Sequence, residues 1–276
     1  MKVAFQGERG AYSEMAALQH FRGYLGKSIE LIPNKTLSDV FETVESGKAE
    51  YAVVPIENSI EGSVNETYDL LINSRMMVCN EIYFRVVHCL ISYRDSDIGK
   101  IKAVYSHPQA LAQCRNFLQK HKMEPIPFYD TAGSVKMLKE FPIDNAGAIA
   151  SEIAAETYGM KIIEKGIEDS KNNYTRFIVL ADKDSEPTGN DKTLAIFTTK
   201  HVPGALYKVI GEFASRDINL TMIVSRPTKE KPWEYNFYVD FEGHRKDPNI
   251  RECLDHLKNN TEFLKVLGSY PKFKQQ

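Results

Sequence analysis

Three short apolar runs, Val3-Ala4-Phe5, Ile29-Glu30-Leu31-Ile32 and Tyr51-Ala52-Val53-Val54-Pro55-Ile56, each precede a stretch of helical periodicity. Ser13 to Phe21 reads as the first helix. Leu37, Val40, Phe41 and Val44 line the second, which stops before Gly47, and Val64, Thr67, Tyr68, Leu71 and Ile72 line the third. A βαβαβα succession implies a mostly parallel sheet covered by helices.

The pattern then restarts. Met77 to Tyr93 is a long extended stretch, followed by a strand at Ile101–Tyr105 and a helix from Pro108 to His121 with proline in its first turn. Glu124 to Phe128 is extended, Thr131 to Phe141 helical, Ala146 to Ala150 a strand and Ser151 to Tyr158 helical. Two α/β lobes are expected, lobe one at about 1–77 and 175–182 and lobe two at about 94–174. Met77–Tyr93 would cross between them and Thr175–Leu180 would cross back, leaving a cleft suited to a small molecule. Residues 183–192 read as a charged linker containing Pro187 and Gly189. Residues 193–276 read as βαββαβ, a ferredoxin-like module fit for ligand sensing or dimerisation.

The formal net charge of -2 carries no nucleic-acid signature, so anion binding must be local. Cys79, Cys89, Cys114 and Cys253 form no CxxC pair, and reduced thiols in a cytoplasmic protein are the expectation. No signal segment opens the chain, and no run is long enough to span a membrane.

Asn172-Asn173-Tyr174-Thr175-Arg176-Phe177 sits just before the apolar run that ends at Leu180. Strand ends are where α/β sheets present side chains to a ligand crevice. Alternation places Thr175 and Phe177 on one face, Tyr174 and Arg176 on the other. A hydroxyl beside a fixed cation suits a small anion whose own hydroxyl must be held or protonated. Hydroxyl and amide residues recur at helix starts: Ser13, Asn58, Ser59, Ser63, Ser106, Thr131, Ser134 and Ser151. Each reads first as a cap, and several termini facing one cleft would form an anion site with few lysines. Glu57 ends a strand and could be an acid/base group or a solvated loop residue, whereas His107, next to Pro108, reads as structural.

The hexapeptide resembles the Thr-Arg-Phe signature of prephenate dehydratases. Gly7-Glu8-Arg9-Gly10-Ala11-Tyr12-Ser13 is similar to that family's amino-terminal loop. Pro55-Ile56-Glu57-Asn58-Ser59, Ser106-His107-Pro108-Gln109 and Asp130-Thr131-Ala132 are similar to its other cleft segments. The carboxy-terminal module resembles an ACT domain, with Gly204-Ala205-Leu206 and Ser225-Arg226-Pro227 at its effector motifs; Val224 stands where the family usually has Glu.

The resemblance implies a two-lobed catalytic domain over residues 1–182, like type II periplasmic binding proteins, plus a regulatory ACT domain. It implies decarboxylative dehydration of prephenate to phenylpyruvate without metal, nicotinamide or flavin. Arogenate dehydratase, or an enzyme acting on both substrates, stays open as an alternative. A non-catalytic two-lobed amino-acid sensor is the distant alternative. No helical mutase-like domain precedes residue 1, so a monofunctional enzyme is expected. By resemblance Thr175 faces the leaving hydroxyl, Glu57, if protonated in a desolvated cleft, is the proton source, and Arg176 pairs with a substrate carboxylate or instead holds a structural carboxylate nearby. Ser13, Asn58, Ser106, Gln109, Thr131, Asn173 and Phe177 would contact substrate. Gly204, Ala205, Leu206, Asn219, Ser225, Arg226 and Pro227 would bind L-phenylalanine at a subunit interface of a homodimer or homotetramer. Neither nucleic acid nor membrane is an expected partner.

Overall fold

The computed structural model describes residues 1–22, 28–93 and 97–274; the expected start of lobe two at 94 lies outside them. The first unit comprises β1 (Lys2–Gln6), α1 (Tyr12–Phe21), β2 (Glu30–Asn34), α2 (Leu37–Glu45), β3 (Tyr51–Asn58), β4 (Gly62–Ser63), α3 (Asn65–Leu71) and β5 (Met77–Arg85). The second comprises β6 (Cys89–Ser92), β7 (Ala103–Ser106), α4 (Pro108–Gln113), α5 (Arg115–Lys120), β8 (Glu124–Pro127), α6 (Thr131–Glu140), β9 (Ala146–Ala150), α7 (Glu152–Tyr158) and β10 (Lys161–Lys165). β11 (Tyr174–Ala181) returns to the first sheet. The carboxy-terminal module is β12 (Asp191–Thr198), α8 (Ala205–Ala214), β13 (Leu220–Pro227), β14 (Tyr235–Glu242), α9 (Pro248–Asn260) and β15 (Phe263–Pro271).

Lobe one is a sheet of order β2-β1-β3-β11-β5, with β4 on β3. Its β1–β2 and β1–β3 pairings are parallel, as helical connections require, whereas β11 runs antiparallel to both β3 and β5. Lobe two is a sheet of order β10-β6-β9-β7-β8, and the module a sheet of order β13-β14-β12-β15. The expected helix from Pro108 to His121 breaks at Cys114, whose φ of -114° and ψ of 21° leave the helical region.

Alternation along β11 divides the interior. Phe177 and Val179 join an apolar cluster with Phe5, Phe21 and Val53 of lobe one and Ile91, Ala148 and Val135 of lobe two. The lobes therefore meet in a shared core. Ile178 and Leu180 face the other way, into a cluster with Ile56, Tyr68 and Leu71 and with Leu194, Ile196, Tyr238 and Tyr270 of the module. The module's sheet thus covers the lobe-one sheet on the side away from lobe two. Its own helices α8 and α9 pack on its opposite face through Val209, Phe213, Ile250 and Leu257. Asp191 and Lys192, read from sequence as the end of the linker, are buried in β12.

Candidate active site

Thr175 lies opposite Asn58 across the β11–β3 ladder, and directly opposed residues share a face. The register shifts one step further along, where Arg176 pairs with Glu57 but Phe177 pairs with Pro55. That bulge places one extra residue in β3, and bulges re-aim side chains. Its effect is to turn Asn58 toward lobe two beside Thr175, while Glu57 shares the face of Arg176.

Asn58 is the organising residue. Its Oδ1 accepts from the amides of Ile60 and Glu61 at 3.0 and 3.1 Å, which fixes which end of the side chain is which. Its Nδ2 donates to Thr175 Oγ1 at 3.0 Å, to Asn173 Oδ1 at 2.9 Å and to the Tyr174 carbonyl at 3.2 Å. Thr175 Oγ1 is thereby an acceptor toward Asn58, so its own proton is available for another partner. Asn173, fully buried, donates from Nδ2 to Gln113 Oε1 at 2.8 Å. Gln113 Oε1 lies 3.0 Å from His88 Nε2, and His88 Nδ1 lies 2.9 Å from the Tyr12 hydroxyl. Because Gln113 offers an oxygen here, the network assigns His88 its proton on Nε2. Burial lowers the His88 pKa, consistent with a neutral ring.

A narrow cavity of 80 Å³ lies beside this network, between the lobes. Asn58 and Thr175 enter it from lobe one, and Gln109 and Thr131 from the first turns of α4 and α6. Tyr12, His88, His107 and Gln113 line it as well. Gln113 lines the cavity, and its Nε2 is buried with no hydrogen-bond partner among the described residues.

The other expected site residues are placed differently. Among the expected caps, Ser151 fills that role on α7, accepting from the Ala154 amide at 3.0 Å. α4 and α6 are capped by His107 and Asp130. Ser106 is buried and donates to the Ile149 carbonyl at 2.6 Å, tying β7 to β9. Ser13 is buried on α1, Asn173 supports Asn58 and Gln113 from behind, and Phe177 belongs to the shared core. Ser13, Ser106, Ser151, Asn173 and Phe177 do not line the cavity. Glu57 is also outside it, a correction caused by the bulge.

Arg176 requires the larger correction. It is only 4% exposed and points away from the cavity, because it sits one residue from Thr175 on an alternating strand. Its Nε donates to Glu81 Oε2 at 2.9 Å, and its Nη2 reaches Asp240 of the module and the Tyr270 hydroxyl. Lys192 completes the cluster, 3.0 Å from Glu81 and 2.9 Å from Asp240. Two cations thus face two carboxylates, a structural ion cluster joining the module to β11. In the module, Gly204 caps α8 with φ +79°. Arg226 turns toward the first lobe and forms a two-pronged pair with Asp69. Met222 and Val224, four and two residues back, pack on the interdomain cluster, so a carboxylate in place of Val224 would meet apolar surface there. Arg226 and the Gly204-Ala205-Leu206 turn therefore lie on different faces of one module.

Tyr12, His88 and Gln113 were not legible as site residues. Tyr12 did lie in the Gly7–Ser13 loop, and that loop is a second junction between lobes. Ser151 donates to the Gly10 carbonyl at 2.6 Å, and the Gly10 amide donates to Glu14 at 2.5 Å. Gly10 has φ +86°, and a Cβ there would fall 2.6 Å from Ala154 Cα of α7. Gly10→Ala is expected to destabilise by about 2–4 kcal/mol, combining backbone strain with overlap against a helix backbone. Gly47→Ala, at φ +75° with open space around it, carries the conformational part alone. Denaturation midpoints of the two variants measure the difference; equal losses would show that α7 yields freely.

The chain also matches known proteins over its whole length. The prephenate dehydratase family model covers residues 3–185 and the ACT domain residues 193–258. A bifunctional chorismate mutase/prephenate dehydratase of Aquifex aeolicus (strain VF5) is 45% identical over 274 residues, covering 99% of this chain and 74% of that protein. A prephenate dehydratase of Methanocaldococcus jannaschii is 43% identical, covering 98% of each chain. The solved structure of a prephenate dehydratase from Arthrobacter aurescens in complex with L-Phe has a TM-score of 0.89 and 30% identity, covering 99% of this chain and 90% of that one. A two-lobed domain whose cleft joins Thr175 to Asn58, followed by an ACT sheet docked on its back, has these full-length relatives, and the chain belongs to the prephenate dehydratase family.

Proposed function

We propose that the chain converts prephenate to phenylpyruvate, carbon dioxide and water, with Thr175 as the hydrogen-bond donor to the departing hydroxyl. The observation that carries this reading is the Asn58 Nδ2 bond to Thr175 Oγ1, which leaves the hydroxyl proton free for the cavity. In the reaction the ring C–O bond breaks and the oxygen departs as water, taking up a proton that solvent ultimately supplies. The ring carboxylate leaves as carbon dioxide, and its bonding pair completes the aromatic sextet. Negative charge grows on the departing oxygen, so a fixed donor there is worth more in the transition state than in the ground state. Gln109 and Thr131 add neutral polar contacts from lobe two. Orientation between two lobes that share a core fits a reaction whose reacting groups all lie on one substrate.

The ACT domain is the site at which L-phenylalanine acts, through the Gly204-Ala205-Leu206 turn with Asn219, Ser225 and Pro227. Exposed apolar side chains on this domain, Val202, Tyr207 and Ile223, favour contact with a second copy, in a homodimer or homotetramer. The four free cysteines suit a reducing compartment such as the cytoplasm, and no helix among the described residues is long and apolar enough to cross a membrane.

Turnover of purified protein with prephenate, read as phenylpyruvate absorbance, tests the assignment, with arogenate assayed in parallel. Saturable turnover of prephenate is the expected result. Turnover of arogenate alone would reassign the substrate, and no turnover of either would remove the enzymatic reading. Calorimetry with L-phenylalanine, and the rate with and without it, tests the effector.

A further inference from the structure

We propose that the ACT domain sets the conformation of the Asn58 hairpin through α3. This rests on the regulatory reading of the ACT domain but names a route that the reading does not contain.

The module holds α3 at three places. Arg226 Nε and Nη2 donate to Asp69 Oδ1 and Oδ2 at 3.0 and 2.9 Å, and Lys229 adds a bond of 2.7 Å to the same carboxylate. The Tyr238 hydroxyl donates to the Tyr68 carbonyl at 2.7 Å, and the Tyr68 hydroxyl reaches Met222 Sδ at 3.1 Å. Lys265 Nζ donates to the carbonyls of Leu71, Ile72 and Ser74 at 3.3, 2.8 and 2.6 Å. The first two carbonyls end α3, where backbone acceptors lack helical partners and a cation is favoured, and the third follows just after it. A seven-residue helix has little stability of its own, so its order comes from such contacts.

At its other end α3 is tied to the cleft strand. Thr67 Oγ1 donates to the Pro55 carbonyl at 2.6 Å, and the Val64 amide to the Ile56 carbonyl at 2.9 Å. Gly62 and Ser63, just before α3, pair with Asn58 and Glu57. The turn between them is closed by the Ile60 and Glu61 amides on Asn58 Oδ1, the bonds that aim Asn58 Nδ2 at Thr175. A shift of Arg226 or Lys265 is therefore passed to α3, from α3 to the hairpin, and from the hairpin to Asn58. Arg226 lies in the Ser225-Arg226-Pro227 segment, so a ligand at that segment acts on the first link of this chain. Coupling of this kind is real only if the hairpin responds to changes made in the module.

The test is made on the full chain. Lys265→Met keeps the stem of the side chain and removes the donor to α3. Amide exchange of Ser59, Ile60, Glu61 and Val64 is expected to rise by about ten-fold or more, while β12 and β14 keep their protection. Asp69→Asn removes the charge that Arg226 grips; the same amides are followed, because it keeps the proposal testable should Lys265→Met unfold generally. In Asp69→Asn, binding of L-phenylalanine by calorimetry is expected to persist, basal turnover to stay within about two-fold, and the rate response to 1 mM L-phenylalanine to fall at least five-fold. Faster exchange confined to α3, or no change in the hairpin, overturns the proposal. An undiminished rate response in Asp69→Asn overturns it too. A wild-type protein that does not respond to L-phenylalanine removes the effector reading instead, and the exchange measurement still decides the route.

Discussion

Thr175→Ala is expected to lower kcat by about two to three orders of magnitude while the fold stays intact. The variant removes a hydroxyl that Asn58 aims at the cavity, and with it one hydrogen bond to the departing oxygen. The surroundings tolerate the loss. Asn58 Nδ2 keeps Asn173 Oδ1 and the Tyr174 carbonyl, so no buried donor is orphaned. A stability change of no more than about 1 kcal/mol should accompany the loss of rate. Thr175→Ser restores the donor without the methyl and should recover most of the turnover. KM for prephenate should move far less than kcat, because the lost interaction grows with charge in the transition state. Turnover near the wild-type value in a folded Thr175→Ala protein would take Thr175 out of the mechanism.

The βα alternation carried the lobes, and strand parity carried the opposite facing of Thr175 and Arg176. Parity says which residues share a face. It does not say which face meets a cleft and which is covered, and that depended on where the ACT sheet docks, with Asp240 lying 64 residues further along the chain. Arg176 was therefore read as a substrate ligand, although its neighbours are Glu81, Asp240 and Tyr270. Glu57 was misplaced for a local reason. A single bulge in β3 changes parity just before Asn58, and bulges leave little trace in an apolar run. Gln113 and His88 lie in segments without a polar motif, and only long-range pairing brings them beside Asn173 and Tyr12. Gln109 and Thr131 were legible because each opens a helix after a strand, the position an α/β fold turns toward its crevice.

Arg176→Met should destabilise the protein by about 3–5 kcal/mol, the usual cost of leaving buried partners of a charge uncompensated. In the intact cluster Arg176 and Lys192 balance Glu81 and Asp240, and every one of the four is nearly inaccessible. Burial pushes the Tyr270 phenol well up, so it stays protonated and donates to Asp240 Oδ1 at 2.9 Å while accepting from Arg176. Removing the guanidinium leaves two carboxylates sharing one lysine. Arg176→Lys keeps the charge but has no planar fork to span Glu81, Asp240 and Tyr270 together. Its loss should fall between zero and that of Arg176→Met. Arg176→Met combined with Asp240→Leu removes one cation and one anion, so it should recover much of the stability that the single variant loses. Chemical denaturation of the three variants gives the stabilities, and steady-state kinetics under folded conditions gives KM. The cluster predicts a KM for prephenate within a few-fold of wild type in Arg176→Lys, with the loss seen in stability. A tenfold rise in KM at unchanged stability would return Arg176 to the cleft.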